Sequence, residues 1–100
     1  MEFLVRLDLD FPDTGTKDRI VKQEQDAGRA LQEQGVLLRI WRDPARPSNW
    51  TLWKAADATE FHKIFSALPA FPYFRNVTVY PLAAHPIDPG YVSPRAATAD

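Results

Sequence analysis

Val36 to Lys54, VLLRIWRDPARPSNWTLWK, is the stretch whose reading decides the fold. Val36 to Arg42 reads as a strand, with Val36, Leu38 and Ile40 on one face and Leu37, Arg39 and Trp41 on the other. Asn49 to Lys54 reads as another, in which Trp50 and Leu52 alternate with Asn49, Thr51 and Trp53. Between them DPARPS, Asp43 to Ser48, holds two prolines and makes a loop longer than a minimal hairpin connection. Both strands are apolar on both faces.

Upstream lies Lys17 to Gly35, KDRIVKQEQDAGRALQEQG, which reads as an amphipathic helix. Ile20, Ala27 and Leu31 recur along one stripe, and Gly35 can close the last turn in the left-handed region. Glu24 completes that stripe. Before the helix, Glu2 to Phe11 alternates, with Phe3, Val5, Leu7, Leu9 and Phe11 on one side, as a strand with one buried face does. PDTGT, Pro12 to Thr16, is turn chemistry in which Asp13 or Thr16 can cap the helix.

Downstream, Asp57 to Leu68 reads as a second helix, capped by Asp57 or Thr59 and buried through Phe61, Ile64, Phe65 and Leu68. Pro69 and Pro72 end it. Asn76 to Ala84 is a fourth strand, whose Pro81 belongs at an edge or a bulge. The order is therefore strand, helix, strand, strand, helix, strand. This is the ferredoxin-like βαββαβ pattern of the α+β class, an antiparallel sheet with both helices on one face. The second and third strands leave an apolar surface on the uncovered side, so a second sheet is expected there and the chain is expected to be at least a dimer. Residues 1–86 form the expected domain. Residues 87–100 form a Pro-containing, extended or disordered tail, with a neighbouring subunit as one place for it to lie.

Composition narrows the classes further. Hydrophobic residues make up 45% and charged ones 25% of 100 residues, as in an ordinary globular domain. A net charge of −1 gives no electrostatic case for nucleic acid or an anionic membrane. No apolar run is long enough to span a bilayer, and MEFLVRLDLDF carries charges where a signal peptide would be apolar, so cytoplasmic residence is expected. Without cysteine there is no disulfide, thiolate ligand or Cys nucleophile. Three Trp in so short a chain line a pocket or an interface, or fill the core.

Glu24 aims a carboxylate toward the core. It is either ion-paired across the domain or held near neutrality as a proton acceptor. Arg39 and Arg42 lie on opposite faces of their strand, so at most one serves a given pocket, where its fork would hold a carboxylate. Asn49 opens the third strand, and its amide either polarises a carbonyl or shapes the turn. His62 sits beside Phe61, off the apolar stripe, and His85 stands at the end of the fourth strand. These two do not make a metal motif, and there is no phosphate loop and no GxSxG. Chemistry without a cofactor, on a small molecule, is the expectation.

Taken together, the opening MEFLVRLDL followed by a Pro, the Glu24 helix running into LQEQG, IWR at Ile40 to Arg42, Asn49, His62, LPAFPY at Leu68 to Tyr73, and His85-Pro86 resemble the muconolactone Δ-isomerase family. The resemblance implies a dimeric α+β barrel built into a larger oligomer, typically a decamer. It also implies a cofactor-independent proton shift that moves a ring double bond in an unsaturated lactone, in aromatic-compound catabolism. Glu24 and Asn49 fit its catalytic roles. Arg39, Arg42, Trp50, His62, Phe71, Tyr73 and His85 fit its substrate contacts. Leu38-Arg39 stands where the family has Arg-His, and Pro47-Ser48-Asn49-Trp50 where it has Tyr-Ala-Asn-Tyr. These exchanges imply a bulkier, more apolar pocket. The alternatives are a cyclase or oxygenase acting on a larger aromatic compound, or a non-catalytic binding protein of the same fold.

Overall fold

In the computed structural model, which describes residues 1–88, the sheet is four-stranded and ordered β2-β3-β1-β4. The elements are β1 (Glu2–Leu9), α1 (Thr14–Glu33), β2 (Leu37–Arg42), β3 (Ser48–Lys54), α2 (Ala58–Ser66), a 3-10 turn (Phe71–Tyr73) and β4 (Phe74–Leu82). All three strand pairings are antiparallel. The α+β, ferredoxin-like order expected from the sequence is the order observed.

The ends of α1 are fixed locally. Asp13 accepts from the Thr16 amide at 2.6 Å, satisfying an N–H that has no partner inside the helix. At the other end Gly35 takes φ 73. There Val36 N reaches Leu31 O at 2.9 Å and Gly35 N reaches Gln32 O at 3.1 Å, the paired closure that a left-handed glycine permits. Asp57 caps α2 in the same way, through the Glu60 amide at 2.8 Å.

The core lies between the helices and one face of the sheet. Phe3, Val5 and Leu7 of β1, Leu37 of β2 and Trp53 of β3 are buried there with Phe61, Phe65 and Leu68. It is an aromatic core: Phe61 stacks on Phe3 at 4.8 Å, and Trp53 presents its edge to Phe61 and Phe65 at 5.9 and 5.8 Å. Rings this large let a small domain bury enough area to hold together. Of the two uses the Trp count suggested, Trp53 takes the core and Trp41 and Trp50 the opposite face of the sheet.

β2 departs from the alternation read in its sequence. Leu37 pairs with Trp53 and Arg39 with Leu52, so Leu38 is an extra residue in the strand. A bulge of this kind reverses the alternation beyond it. Leu37, Ile40 and Arg42 therefore share the helix-covered side with Trp53, Thr51 and Asn49, while Arg39 and Trp41 face away with Leu52 and Trp50. The expected grouping of Val36, Leu38 and Ile40 against Leu37, Arg39 and Trp41 does not hold.

The uncovered face carries Trp41, 44% exposed, and the stacked pair Trp50 and Tyr80, whose rings lie 6.4 Å apart. β4 is an edge strand, which tolerates Pro81 opposite Phe3. It begins at Phe74, earlier than expected. Of the expected tail only Ile87 and Asp88 are described, in a turn where Asp88 N donates to His85 O at 3.0 Å; the rest lies outside the described residues. No described helix is long and apolar enough to cross a membrane.

Candidate functional site

Glu24 projects from the middle of α1 toward the sheet and is half-buried. Among the described residues it makes no ion pair; its one partner is the Ala70 amide, which reaches Oε1 at 3.4 Å. The ion-paired alternative is therefore not what the fold builds. Burial pushes the Glu24 carboxyl above the usual glutamate value, and the Ala70 N–H offsets this only partly. The carboxylate is poised to hold or release a proton nearer neutrality than an exposed one.

Beside it is a cavity of about 90 Å3, walled by Leu7, Leu9, Leu37, Phe65, Leu68 and Phe74, with Glu24, Asn49 and Thr51 as its polar groups. Gly28, one turn along α1, also lines it and adds no side chain to the space. The cavity alone is smaller than the ~150 Å3 that holds benzene in an engineered core. It does not stand alone. A groove of about 610 Å3 shares Leu9, Glu24, Gly28, Ile40 and Asn49 with it and runs outward past Gln25, Gln32, Lys17, Arg29 and Arg42. An apolar pit opening into a cationic groove, with Glu24 at the junction, suits a small ring bearing an anionic arm.

Of the residues picked from sequence, the fold brings Glu24, Asn49 and Arg42 together. Asn49 and Arg42 are cross-strand partners in the β2–β3 pairing, which places them side by side on the cavity face. Arg39 lies on the opposite face, its guanidinium 5.9 Å from the centre of the Trp41 ring. Trp50 is on that face too, stacked on Tyr80. Phe71 packs edge-on against Phe65 at 5.9 Å, behind the cavity wall. Tyr73 backs Phe11, at 5.2 Å, and Phe11 in turn lines the groove. His62 is exposed on α2. His85 is exposed as well, its Nδ1 accepting from the Ile87 amide at 3.2 Å. Neither histidine lines the cavity or the groove.

Leu38, Pro47 and Trp50, the exchanges expected to make the pocket bulkier, are also absent from both linings. The residues that sequence reading missed are Gly28, Ile40 and Thr51, with Lys17 and Arg29 along the groove. Thr51 carried a usable signal, because it shares the alternation of Asn49 and Trp53.

A family model described as muconolactone delta-isomerase matches residues 1–88. Muconolactone Delta-isomerase 1 of Acinetobacter lwoffii is 34% identical over 89 residues, spanning 86% of this chain and 92% of that one. The muconolactone Delta-isomerase of Cupriavidus pinatubonensis is 32% identical, over 86% of this chain and 96% of its own. Among solved structures, muconolactone isomerase superposes with a TM-score of 0.80 at 23% identity, covering 93% of this chain and 99% of that one. A 5-chloro-2-hydroxyhydroquinone dehydrochlorinase from Burkholderia phenoliruptrix shares the fold at a TM-score of 0.54 and 17% identity, over 85% of this chain and 96% of its own.

Proposed function

The chain belongs to the muconolactone delta-isomerase family, and from that premise we propose that Glu24 is the base of a proton shift on an unsaturated lactone bound where the cavity meets the groove. The enzyme is an intramolecular isomerase of aromatic-compound catabolism. The observation that carries the assignment of the base is the Glu24 carboxylate itself, half-buried, in no ion pair among the described residues and next to open space.

The ring lies across the junction of pit and groove, one apolar edge turned into the pit and its carboxylate arm along the groove, toward Arg42. Glu24 removes the ring proton made acidic by conjugation with the lactone carbonyl. Negative charge moves onto the carbonyl oxygen, where the Asn49 amide donates to it. The protonated Glu24 then returns the proton to the far end of the dienolate, so the double bond moves within the ring and nothing is gained or lost. A carboxyl with a raised pKa suits both halves of this exchange. The protein works in the cytoplasm as a homo-oligomer, its uncovered sheet face closed by a second copy.

The test is incubation with muconolactone, followed by ultraviolet absorbance and by proton–deuterium exchange at the ring. Glu24→Gln keeps the fold and lowers turnover by on the order of 10²-fold or more, a general base's usual contribution. Undiminished turnover in that variant removes Glu24 from the mechanism.

A further inference from the structure

Thr51 is 7% exposed and faces the cavity from the middle of β3, two residues beyond Asn49 on the same side of the sheet. Its hydroxyl oxygen accepts a hydrogen bond from Trp53 Nε1 at 2.7 Å. An indole N–H can only donate, so this bond commits the hydroxyl to the acceptor role on that side. The proton of the hydroxyl remains, and none of the bonds among the described residues uses it. A buried hydroxyl that accepts on one side and has space on the other presents its O–H to that space.

Building on the reading of this cleft as a lactone isomerase site, we infer that the Thr51 hydroxyl is a second hydrogen-bond donor to the developing enolate oxygen, alongside the Asn49 amide. Successive residues on one face of a strand stand roughly 6.4 to 6.8 Å apart. Two side chains at that spacing can converge on one oxygen lying between them. Both donors come from a central strand, paired on one side by β1 and on the other by β2, so neither must be reorganised as charge develops. The indole of Trp53, which also forms part of the apolar wall, sets through its N–H the direction in which the Thr51 hydroxyl donates. It is a positioning residue.

The experiment compares the wild type with Thr51→Val, which keeps the shape and removes the hydroxyl, and Thr51→Ser, which restores it. Each is assayed on muconolactone after its fold has been checked by circular dichroism and thermal melting. Thr51→Val lowers kcat by on the order of 10²-fold, as loss of one oxyanion donor does, with KM within about twofold. Thr51→Ser recovers most of that loss. A merely structural role for the hydroxyl would lower the melting temperature and leave kcat of the folded fraction unchanged, and that result overturns the inference. Equal kcat in the Val and Ser variants overturns it as well. Glu24→Gln, run in parallel, separates the two claims. Full activity in Glu24→Gln together with a loss in Thr51→Val rejects the assigned base and retains the donor, and the reverse pattern rejects the donor alone.

Discussion

The Ala70 amide reaches Oε1 of Glu24 at 3.4 Å, joining the middle of α1 to the turn that follows α2. The bond is long, and it leaves the second carboxylate oxygen free of protein donors among the described residues. Ala70 is held in place by its own neighbours, with Phe71 N bonded to Leu68 O at 3.0 Å and Tyr73 N to Ala70 O at 2.9 Å. The segment LPAFPY thus steadies the carboxylate without neutralising it.

This arrangement sets the pH dependence. Burial raises the Glu24 pKa in the folded protein, so the acid limb of kcat/KM, which reports the free enzyme, falls off at a higher pH than an exposed glutamate would give. The same shift makes the ionised form costly to the fold. Its contribution to stability is fully present below the unfolded pKa and is lost as pH rises through the folded one. Glu24→Gln is therefore expected to melt at a higher temperature than wild type above that range and to match it below. A rate profile whose limb lies at the ordinary glutamate value would contradict the first expectation.

Gly28 separates stability from binding. A Cβ added there would meet Leu37 Cδ2 at 3.9 Å, an ordinary contact. In the helix interior alanine is favoured over glycine by about 0.8–1 kcal/mol, so Gly28→Ala raises the melting temperature. The same methyl intrudes on the cavity, and KM rises by about tenfold, the low end of what one surplus methyl costs in a tight pocket. Thermal melts and steady-state kinetics on one preparation test both halves.

Asp8 governs acid sensitivity away from the cleft. It accepts from Ser48 Oγ and from Asn76 Nδ2 at 2.9 Å, and pairs with Arg6 at 3.2 Å. The Ser48 bond first, then the Asn76 bond, hold its carboxyl below the usual aspartate value. Stability from this group is present above the unfolded pKa and is lost as pH falls through the lowered folded one. Asp8→Asn is less stable than wild type near neutrality, and the gap closes in acid. A gap that stays constant across the titration would show the charge to be immaterial.

The uncovered sheet face predicts self-association. Trp41→Glu places a carboxylate beside Trp50 and the Arg39 guanidinium on the uncovered face, where a second sheet would have to desolvate it. Size-exclusion chromatography with light scattering is expected to show the wild type as an oligomer and the variant shifted toward smaller species. An unchanged mass would place the contact elsewhere.

Much of this was readable in the chain. Glu24 could be found because period arithmetic along α1 put it in line with Ile20, Ala27 and Leu31. The order of elements followed from two prolines in DPARPS separating two apolar strands. The odd spacing of Arg39 and Arg42 puts them on opposite faces, as the pairing shows. What the sequence did not show was which of them met the cavity, because a bulge leaves no mark in alternation until pairing partners are known. Trp50, Phe71 and Tyr73 illustrate another limit. A residue can belong to a recognisable motif through packing, and Phe71 packs on Phe65 without reaching the pit. Thr51 was visible as an alternating position, but its hydroxyl's commitment to Trp53 depends on rotamers that spacing does not encode.

The extra residue at Leu38 makes the character of the cleft wall a matter of length as well as identity. Shifted from the strand into the adjoining loop, it would turn Arg39 and Trp41 inward and send Ile40 and Arg42 out, with no side chain exchanged. Insertions and deletions around this hairpin are thus a route by which the scaffold can trade one substrate preference for another in a single genetic event. A library of loop-length variants would sample that route more directly than point mutagenesis of the pocket.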